Sequence, residues 1–425
     1  MAVNIIKSKD IYNIIRKTLE IMNKDIMKHG EITGYILYKM LQVEGRLTEN
    51  QLAEYTMIGI MHDIGVIKTG HKGGLVSVET TNVWAHSIYG YLFLKYLSPV
   101  EDKANIVLYH HLPYYLHEGV KNNYWRITEY LTLADEMDVF MRMKGHGMSG
   151  EYFQEYADVT FSSHALKVFN MAQTQFHILE KLKTGEYEKE LTNLFSSVHF
   201  SEKYKKGFLQ MLIYAIDFRS YQTVVHSLAT TSFAVDIARL MRVPAEELQI
   251  IYYGALLHDI GKIAIPLEIL EAPRRLTDEE MRIMKAHVMI TEKILEGIID
   301  ERVLQVSIRH HEKLDGSGYH RGLKGEEINR SQRIVAVSDI LSALYGKRSY
   351  KDSFDVDQIK EILQKDADSG KICPHTTSVV IKNLDTILQD FEKRRDETIG
   401  LYEMIITQYE EIYKKFKQFE HQIKK

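Results

Sequence analysis

Of the 19 histidines in this 425-residue chain, ten fall into two series with the same order. The first series is His29, then His62-Asp63 inside His-Asp-Ile-Gly, His86, the pair His110-His111, and Asp135 in an apolar stretch. About 200 residues later the order returns as His226, His258-Asp259, His287, His310-His311 and Asp339, with offsets from 196 (His62 to His258) to 204 (Asp135 to Asp339). One His-His pair among 19 histidines carries little weight, whereas order, identity and spacing together mark a duplication. Each series offers five imidazoles and two carboxylates, enough for two neighbouring metal ions. The aspartate of a His-Asp dipeptide can bridge both ions, while histidines on other helices supply terminal ligands. Imidazole with carboxylate suits iron, manganese or zinc, and the absence of thiolates argues against a structural zinc site. Two ions roughly 3.5–4 Å apart clamp the attacking and leaving oxygens of a phosphoryl displacement and acidify a bridging water. The chemistry expected is phosphoester hydrolysis by a metal-bridging hydroxide.

Such ligands must be held by helices. Apolar residues recur at three- and four-residue spacing in Tyr35 to Leu41 and Phe233 to Leu240, and alternating strand patterns bounded by Asn-Gly or Asp-Gly are almost absent. The fold expected is all-α. Small drifts in the repeat offset are what altered loops between helices produce. Residues 1–175 read as one helical domain, 176–215 as a helical connector, 216–375 as the second domain, and 376–425 as a long amphipathic helix. In that last helix Leu384, Leu388, Phe391, Tyr402, Ile405, Tyr409, Ile412, Phe416, Phe419 and Ile423 form a heptad-like seam, imperfect at Arg395 and Thr398. The seam suits either a homodimeric coiled coil or packing on the chain's own domains.

Composition narrows the partners. Lys+Arg 54 against Asp+Glu 58 gives a net charge of −4 with no basic stripe, which disfavours a nucleic-acid polymer. The single cysteine, Cys373, excludes a disulfide framework and favours a reducing compartment. No run of eighteen apolar residues and no signal-like start appear, so a cytoplasmic protein without a membrane segment is expected.

Two long motifs in the second half identify a resemblance. Leu257-His258-Asp259-Ile260-Gly261-Lys262-Ile263-Ala264-Ile265-Pro266 and His310-His311-Glu312-Lys313-Leu314-Asp315-Gly316-Ser317-Gly318-Tyr319 look like those of HD-GYP phosphodiesterases of bacterial cyclic-dinucleotide signalling. The similarity runs from about Tyr221 to Pro374 and takes in Arg348 and Tyr350. It implies an all-α domain with two or three metals, often iron or manganese, that hydrolyses cyclic di-GMP and occasionally cyclic GMP-AMP. Carried onto this chain, it makes His226, His258, Asp259, His287, His310, His311 and Asp339 ligands, with Asp259 bridging. Lys262, one turn after His258, would meet the substrate phosphate as a point charge. Asp315, Gly316, Gly318 and Tyr319 would form a substrate loop whose glycines permit close backbone approach. Tyr319 would either stack on the dinucleotide or pack the loop.

The second half departs from that pattern at three places. His320 stands in place of the family's proline and should loosen the loop. Gln222 replaces the glutamate of three-metal members, which favours two metals. Ser342 replaces the second acid after Asp339. The first half resembles the wider HD superfamily. It keeps His29, His62, Asp63, His86, His110, His111 and Asp135 as a candidate second metal site, but has Val66 in place of Lys262 and no glycine loop. Asp25, four residues before His29, offers a carboxylate where the second half has Gln222. A second hydrolase, a ligand sensor or a structural role all fit this half. For the whole chain the leading expectation is a metal-dependent cyclic-dinucleotide phosphodiesterase. The alternatives are a non-catalytic cyclic-dinucleotide receptor and an HD phosphohydrolase acting on a nucleotide monophosphate.

Overall fold

The computed structural model describes residues 5–69, 83–144, 151–346 and 354–423. Arg348 and Tyr350 lie outside the described residues. Among those described, the regular elements are helices, and β pairing is confined to two isolated bridges, Ala157 with Phe161 and Asp315 with Lys324. No described helix is long and apolar enough to cross a membrane. The chain divides into two units, Lys7–Met211 with Ile405–Lys425, and Met1–Ile6 with Leu212–Met404.

In the first unit, helix α1 (Lys24–Glu44) begins at Asn23, whose side chain accepts the amides of Asp25 and Ile26, and ends at Gly45 in the left-handed region. Helix α2 (Glu49–Ile60) starts from a Thr48–Gln51 capping box. Helices α3 (Val83–Leu97) and α4 (Trp125–Lys144) complete the frame. Most of the stretch expected as a connector belongs to this unit. Its Tyr187 packs beside Tyr35, and Glu190 pairs with buried Lys39 at 2.7 Å.

The second unit repeats the plan. Helices α5 (Tyr221–Leu240), α6 (Ala245–Leu257), α7 (Asp278–Leu295), α8 (Glu301–Ile308) and α9 (Arg330–Tyr345) follow in order. Capping boxes at Thr277–Glu280 and Asn329–Gln332 fix the starts of α7 and α9.

The C-terminal helix α10 (Pro374–Ile423) is unbroken over 50 residues. Part of its seam packs on its own chain. In the second unit Leu384, Leu388 and Phe391 are buried, with Phe391 4.9 Å from the Phe233 ring. In the first, Phe416 packs on Trp84 at 4.7 Å and Tyr409 stacks on Tyr89 at 4.2 Å. Burying such rings is worth roughly 1.5–3 kcal/mol each.

Candidate metal centres

The last carbonyls of a helix lack intrahelical partners, and this protein gives several of them to histidines. His258 follows α6 and its Nδ1 meets the Ala255 carbonyl at 2.7 Å, while His310 follows α8 and meets Ser307 at 2.6 Å. In the first unit His62 pairs with Gly59 at 2.7 Å and His110 with Val107 at 2.6 Å. His287, inside α7, pairs with Met284 at 2.7 Å. Since a carbonyl only accepts, each Nδ1 carries the proton and each Nε2 turns a lone pair inward.

The glycine of His-Asp-Ile-Gly brings the turn against the next histidine helix. A Cβ on Gly261 would sit 2.1 Å from the His287 carbonyl oxygen, and one on Gly65 would sit 2.0 Å from that of His86. Thr291 straps the same turn, donating to the His258 carbonyl at 3.1 Å and accepting the Gly261 amide at 3.1 Å.

The two oxygens of Asp259 face different imidazoles. Oδ2 lies 3.0 Å from His258 Nε2 and 3.4 Å from His226 Nε2, while Oδ1 lies 3.3 Å from His287 Nε2 and 4.0 Å from His310 Nε2. Asp339 reaches His226 Nε2 with Oδ1 at 3.1 Å and His311 Nδ1 with Oδ2 at 3.4 Å. Donor atoms of His226, His258 and Asp259 lie within 4.8 Å of one another, as do those of His287, His310 and His311. The seven residues expected as ligands are therefore brought together as two groups that meet at Asp259.

The first unit assembles the same constellation. Asp63 Oδ1 faces His86 at 3.3 Å and His62 at 3.5 Å, and Asp135 joins His29 at 2.9 Å to His111 at 3.6 Å. Three overlapping donor groups result: His29, His62 and Asp135; His62, Asp63 and His110; His86, His110 and His111.

These residues fit divalent cations. His62 Nε2, His110 Nε2, His258 Nε2, Asp259 Oδ1 and both oxygens of Asp63 are buried without a hydrogen-bond partner, a costly arrangement for polar atoms unless a cation receives them. Burial pushes His110 and His311 down to about 3, keeping them neutral as ligands must be. Burial opposes ionisation of Asp259, but the electrostatic pull of the neighbouring His258 and of the Lys262 ammonium holds it well below the usual carboxylate range. His226 moves the other way: burial works against its charge, yet hydrogen bonds with Asp259 and Asp339 raise it to about 9.

The two centres differ in what surrounds them. In the second unit His226, Lys262, His287, His311, Tyr319 and Asp339 line a cavity of about 780 Å³. The Lys262 ammonium donates to Asp259 Oδ2 at 2.5 Å, so the lysine expected to wait for phosphate is already paired with the carboxylate at which the two donor groups meet. Tyr319 stacks on His311 with centroids 4.6 Å apart and is the member of the expected substrate loop that lines the cavity.

Asp315 instead turns back on its loop, accepting the Ser317 amide at 2.9 Å and the Ser317 hydroxyl at 2.7 Å. A Cβ at Gly318 would fall 2.6 Å from the His311 carbonyl oxygen, and one at Gly316 would run into the Lys324 side chain. The loop thus packs closely against the His-His turn at Gly318 and against Lys324 at Gly316. His320 does not loosen the loop, because the Glu312 carboxylate accepts the Arg321 amide at 2.7 Å and the Leu323 amide at 2.9 Å. Asp25 is exposed, 4.0 Å from Arg142 and away from the first centre.

Two second-layer residues escaped the sequence reading or received no role in it. Asp138 Oδ2 meets His29 Nδ1 at 2.8 Å, and Ser342 Oγ meets His226 Nδ1 at 2.9 Å. Each sits three residues after the ligand aspartate, and that shared spacing was the available signal.

Comparison with known proteins agrees with this architecture. The sequence matches the HD domain family over residues 11–143 and again over residues 210–375. It is 26% identical over 388 residues to the 3'3'-cGAMP-specific phosphodiesterase 1 of Vibrio cholerae, covering 87% of this chain and 90% of that protein. Over 168 residues it is 39% identical to the cyclic di-GMP phosphodiesterase response regulator RpfG of Xanthomonas campestris, covering 39% of this chain and 44% of the relative. A crystal structure of a cyclic GMP-AMP specific phosphodiesterase of Vibrio cholerae, V-cGAP3, shares the fold with a TM-score of 0.54 at 18% identity, over 89% of this chain and 97% of that one. With the ligand series complete in both units and HD matches over each, the chain belongs to the HD-GYP family and carries two HD domains in tandem.

Proposed function

We propose that this protein is a metal-dependent phosphodiesterase whose second domain hydrolyses a cyclic dinucleotide, with cyclic di-GMP as its substrate and two iron or manganese ions as cofactors. The observation that carries this reading is the cavity of the second unit, which has the candidate metal ligands His226, His287, His311 and Asp339 in its wall and a volume within the roughly 300–1,000 Å³ of small-molecule sites. A second reading, 3'3'-cGAMP as substrate, is favoured by the name of the relative that aligns over both domains.

His226, His258 and Asp259 would hold one ion and His287, His310 and His311 the other, with Asp259 between them and Asp339 closing the ring. Bound there, the ions supply an activated water and a Lewis acid for the phosphoryl oxygens. The chain's own part is preorganisation. Backbone carbonyls lock the imidazoles of His258, His287 and His310, and Asp259 stays ionised. Lys262 keeps a positive charge beside Asp259 that offsets charge building on a phosphate in the cavity. Tyr319 presents its ring at the cavity wall, where a nucleobase can stack.

The test is hydrolysis of cyclic di-GMP and 3'3'-cGAMP by anaerobically purified protein, with iron and manganese quantified in the same sample. Cleavage lost in Asp259→Asn, together with bound metal, supports the reading. Tight binding of either nucleotide without cleavage in a metal-replete sample replaces it with a receptor.

A further inference from the structure

The two domains place the same ligand histidine on the same kind of helix but back it with different chemistry. In the first, α4 presents Asp138 one turn after Asp135, and its Oδ2 receives His29 Nδ1 at 2.8 Å. Both side chains are buried, and Arg142 fixes the carboxylate by donating Nε to the same oxygen at 2.6 Å. In the second, α9 presents Ser342 one turn after Asp339. Its Oγ lies 2.9 Å from His226 Nδ1 and 3.1 Å from the His226 carbonyl oxygen. A serine hydroxyl has one proton, and the carbonyl can only accept it. The hydroxyl therefore donates to the carbonyl and takes the Nδ1 proton on a lone pair, which turns Nε2 of His226 toward Asp259 and Asp339, as Nε2 of His29 turns toward Asp135.

We propose that Asp138 and Ser342 are positioning residues that set how firmly each domain holds its metal, so that the first centre retains metal at concentrations that leave the second partly empty. This rests on the reading that both centres bind metal. Among the imidazoles the His-Asp and His-His histidines are backed by matching backbone carbonyls in both domains, Gly59 and Val107 in the first and Ala255 and Ser307 in the second; the other difference is Lys262, which pairs with Asp259 where the first domain has Val66. A carboxylate behind an imidazole strengthens its donation to a metal and fixes its ring more firmly than a neutral hydroxyl does. Changing such a partner costs roughly 10–100-fold in metal affinity. Arg142 shares the Asp138 oxygen and draws off part of its charge, so the lower end of that range, about tenfold, applies.

The protein is tested as the full chain, stripped by chelation and titrated anaerobically with manganese(II), with free ion counted by electron paramagnetic resonance. Two classes of site are expected, the tighter lost in Asp63→Asn and the weaker lost in Asp259→Asn. Asp138→Ser should weaken the tight class about tenfold and leave the other unchanged, and Ser342→Asp should tighten the weak class by a similar factor. Asp138→Asn, which keeps an acceptor for Nδ1 without the charge, should fall between. A thermal melt of each variant shows whether it folds; where Ser342→Asp does not, the Asp138 pair decides the matter. If Asp63→Asn leaves the manganese stoichiometry unchanged, the first domain holds no metal, and the reading and the inference fall together. If both classes are present but the Asp138 and Ser342 exchanges move neither, or the tight class belongs to Asp259, the inference alone is overturned.

Discussion

Gly261→Ala tests the positioning argument with a single methyl group. Its Cβ would lie 2.1 Å from the His287 carbonyl oxygen and 2.7 Å from the Thr291 nitrogen, both backbone atoms that cannot rotate away. Real Cβ contacts essentially never fall below 3.0 Å, so the turn and α7 must separate by about 0.9 Å. That motion acts directly on the 3.3 Å approach of His287 Nε2 to Asp259 Oδ1, the junction of the two donor groups. Overpacking of this kind costs roughly 1–3 kcal/mol of stability. A displacement near 1 Å in a reacting site costs on the order of 100-fold in rate. The expected result is a folded protein with a melting temperature lowered by several degrees, less bound metal, and cyclic-dinucleotide turnover down by about two orders of magnitude. Gly65→Ala meets the His86 carbonyl at 2.0 Å and imposes the same insult on the first domain. It should lower stability similarly while sparing turnover by the second. Wild-type turnover and metal content in Gly261→Ala would refute the claim that this close approach sets the site, and equal turnover losses in both variants would refute the assignment of catalysis to the second domain.

Two further outcomes are expected. Lys262→Ala should reduce kcat far more than metal content, because the lysine contributes charge and not a ligand; kcat and metal assays on one preparation separate the two effects. Phe391→Ala removes a fully buried ring packed on Phe233 and Tyr345 and should destabilise the second unit by roughly 3–5 kcal/mol. Chemical denaturation at two protein concentrations checks it, since an intrachain contact gives a loss independent of concentration and a dimer seam does not.

The ligand series was legible in the sequence because metal chemistry restricts residue type and the duplication stated the spacing twice. The all-α class was legible for a similar reason, since a period of 3.6 survives in helices such as α1. What was not legible depends on which way a side chain turns once helices pack. Asp25 shares a helical face with His29 by spacing, yet it sits in the exposed first turn and points toward Arg142. Asp315 and Gly318 read as substrate contacts because they follow the His-His pair; that Asp315 accepts from Ser317 and Gly318 lies against the His311 carbonyl needed the loop's own path. The seam of α10 looked the same whether its partner was another copy or this chain, and the packing of Phe391 on Phe233 and of Phe416 on Trp84 could not be read from spacing alone. Ser342 could be named as a departure but not interpreted until its distance to His226 was known.

The bonds from ligand-histidine Nδ1 atoms to backbone carbonyls have an evolutionary consequence. A side-chain partner can be deleted by one nucleotide change, but no substitution removes a main-chain oxygen. Ring orientation at His62 and His110 is therefore inherited with the helix ends themselves. The first domain has Val66 in place of a lysine and no glycine loop, and its imidazoles still rest on the same kind of carbonyl. Divergence in such a pair is channelled to the few positions where a ring leans on a replaceable group, and a duplicated centre can drift in use long before it loses its shape.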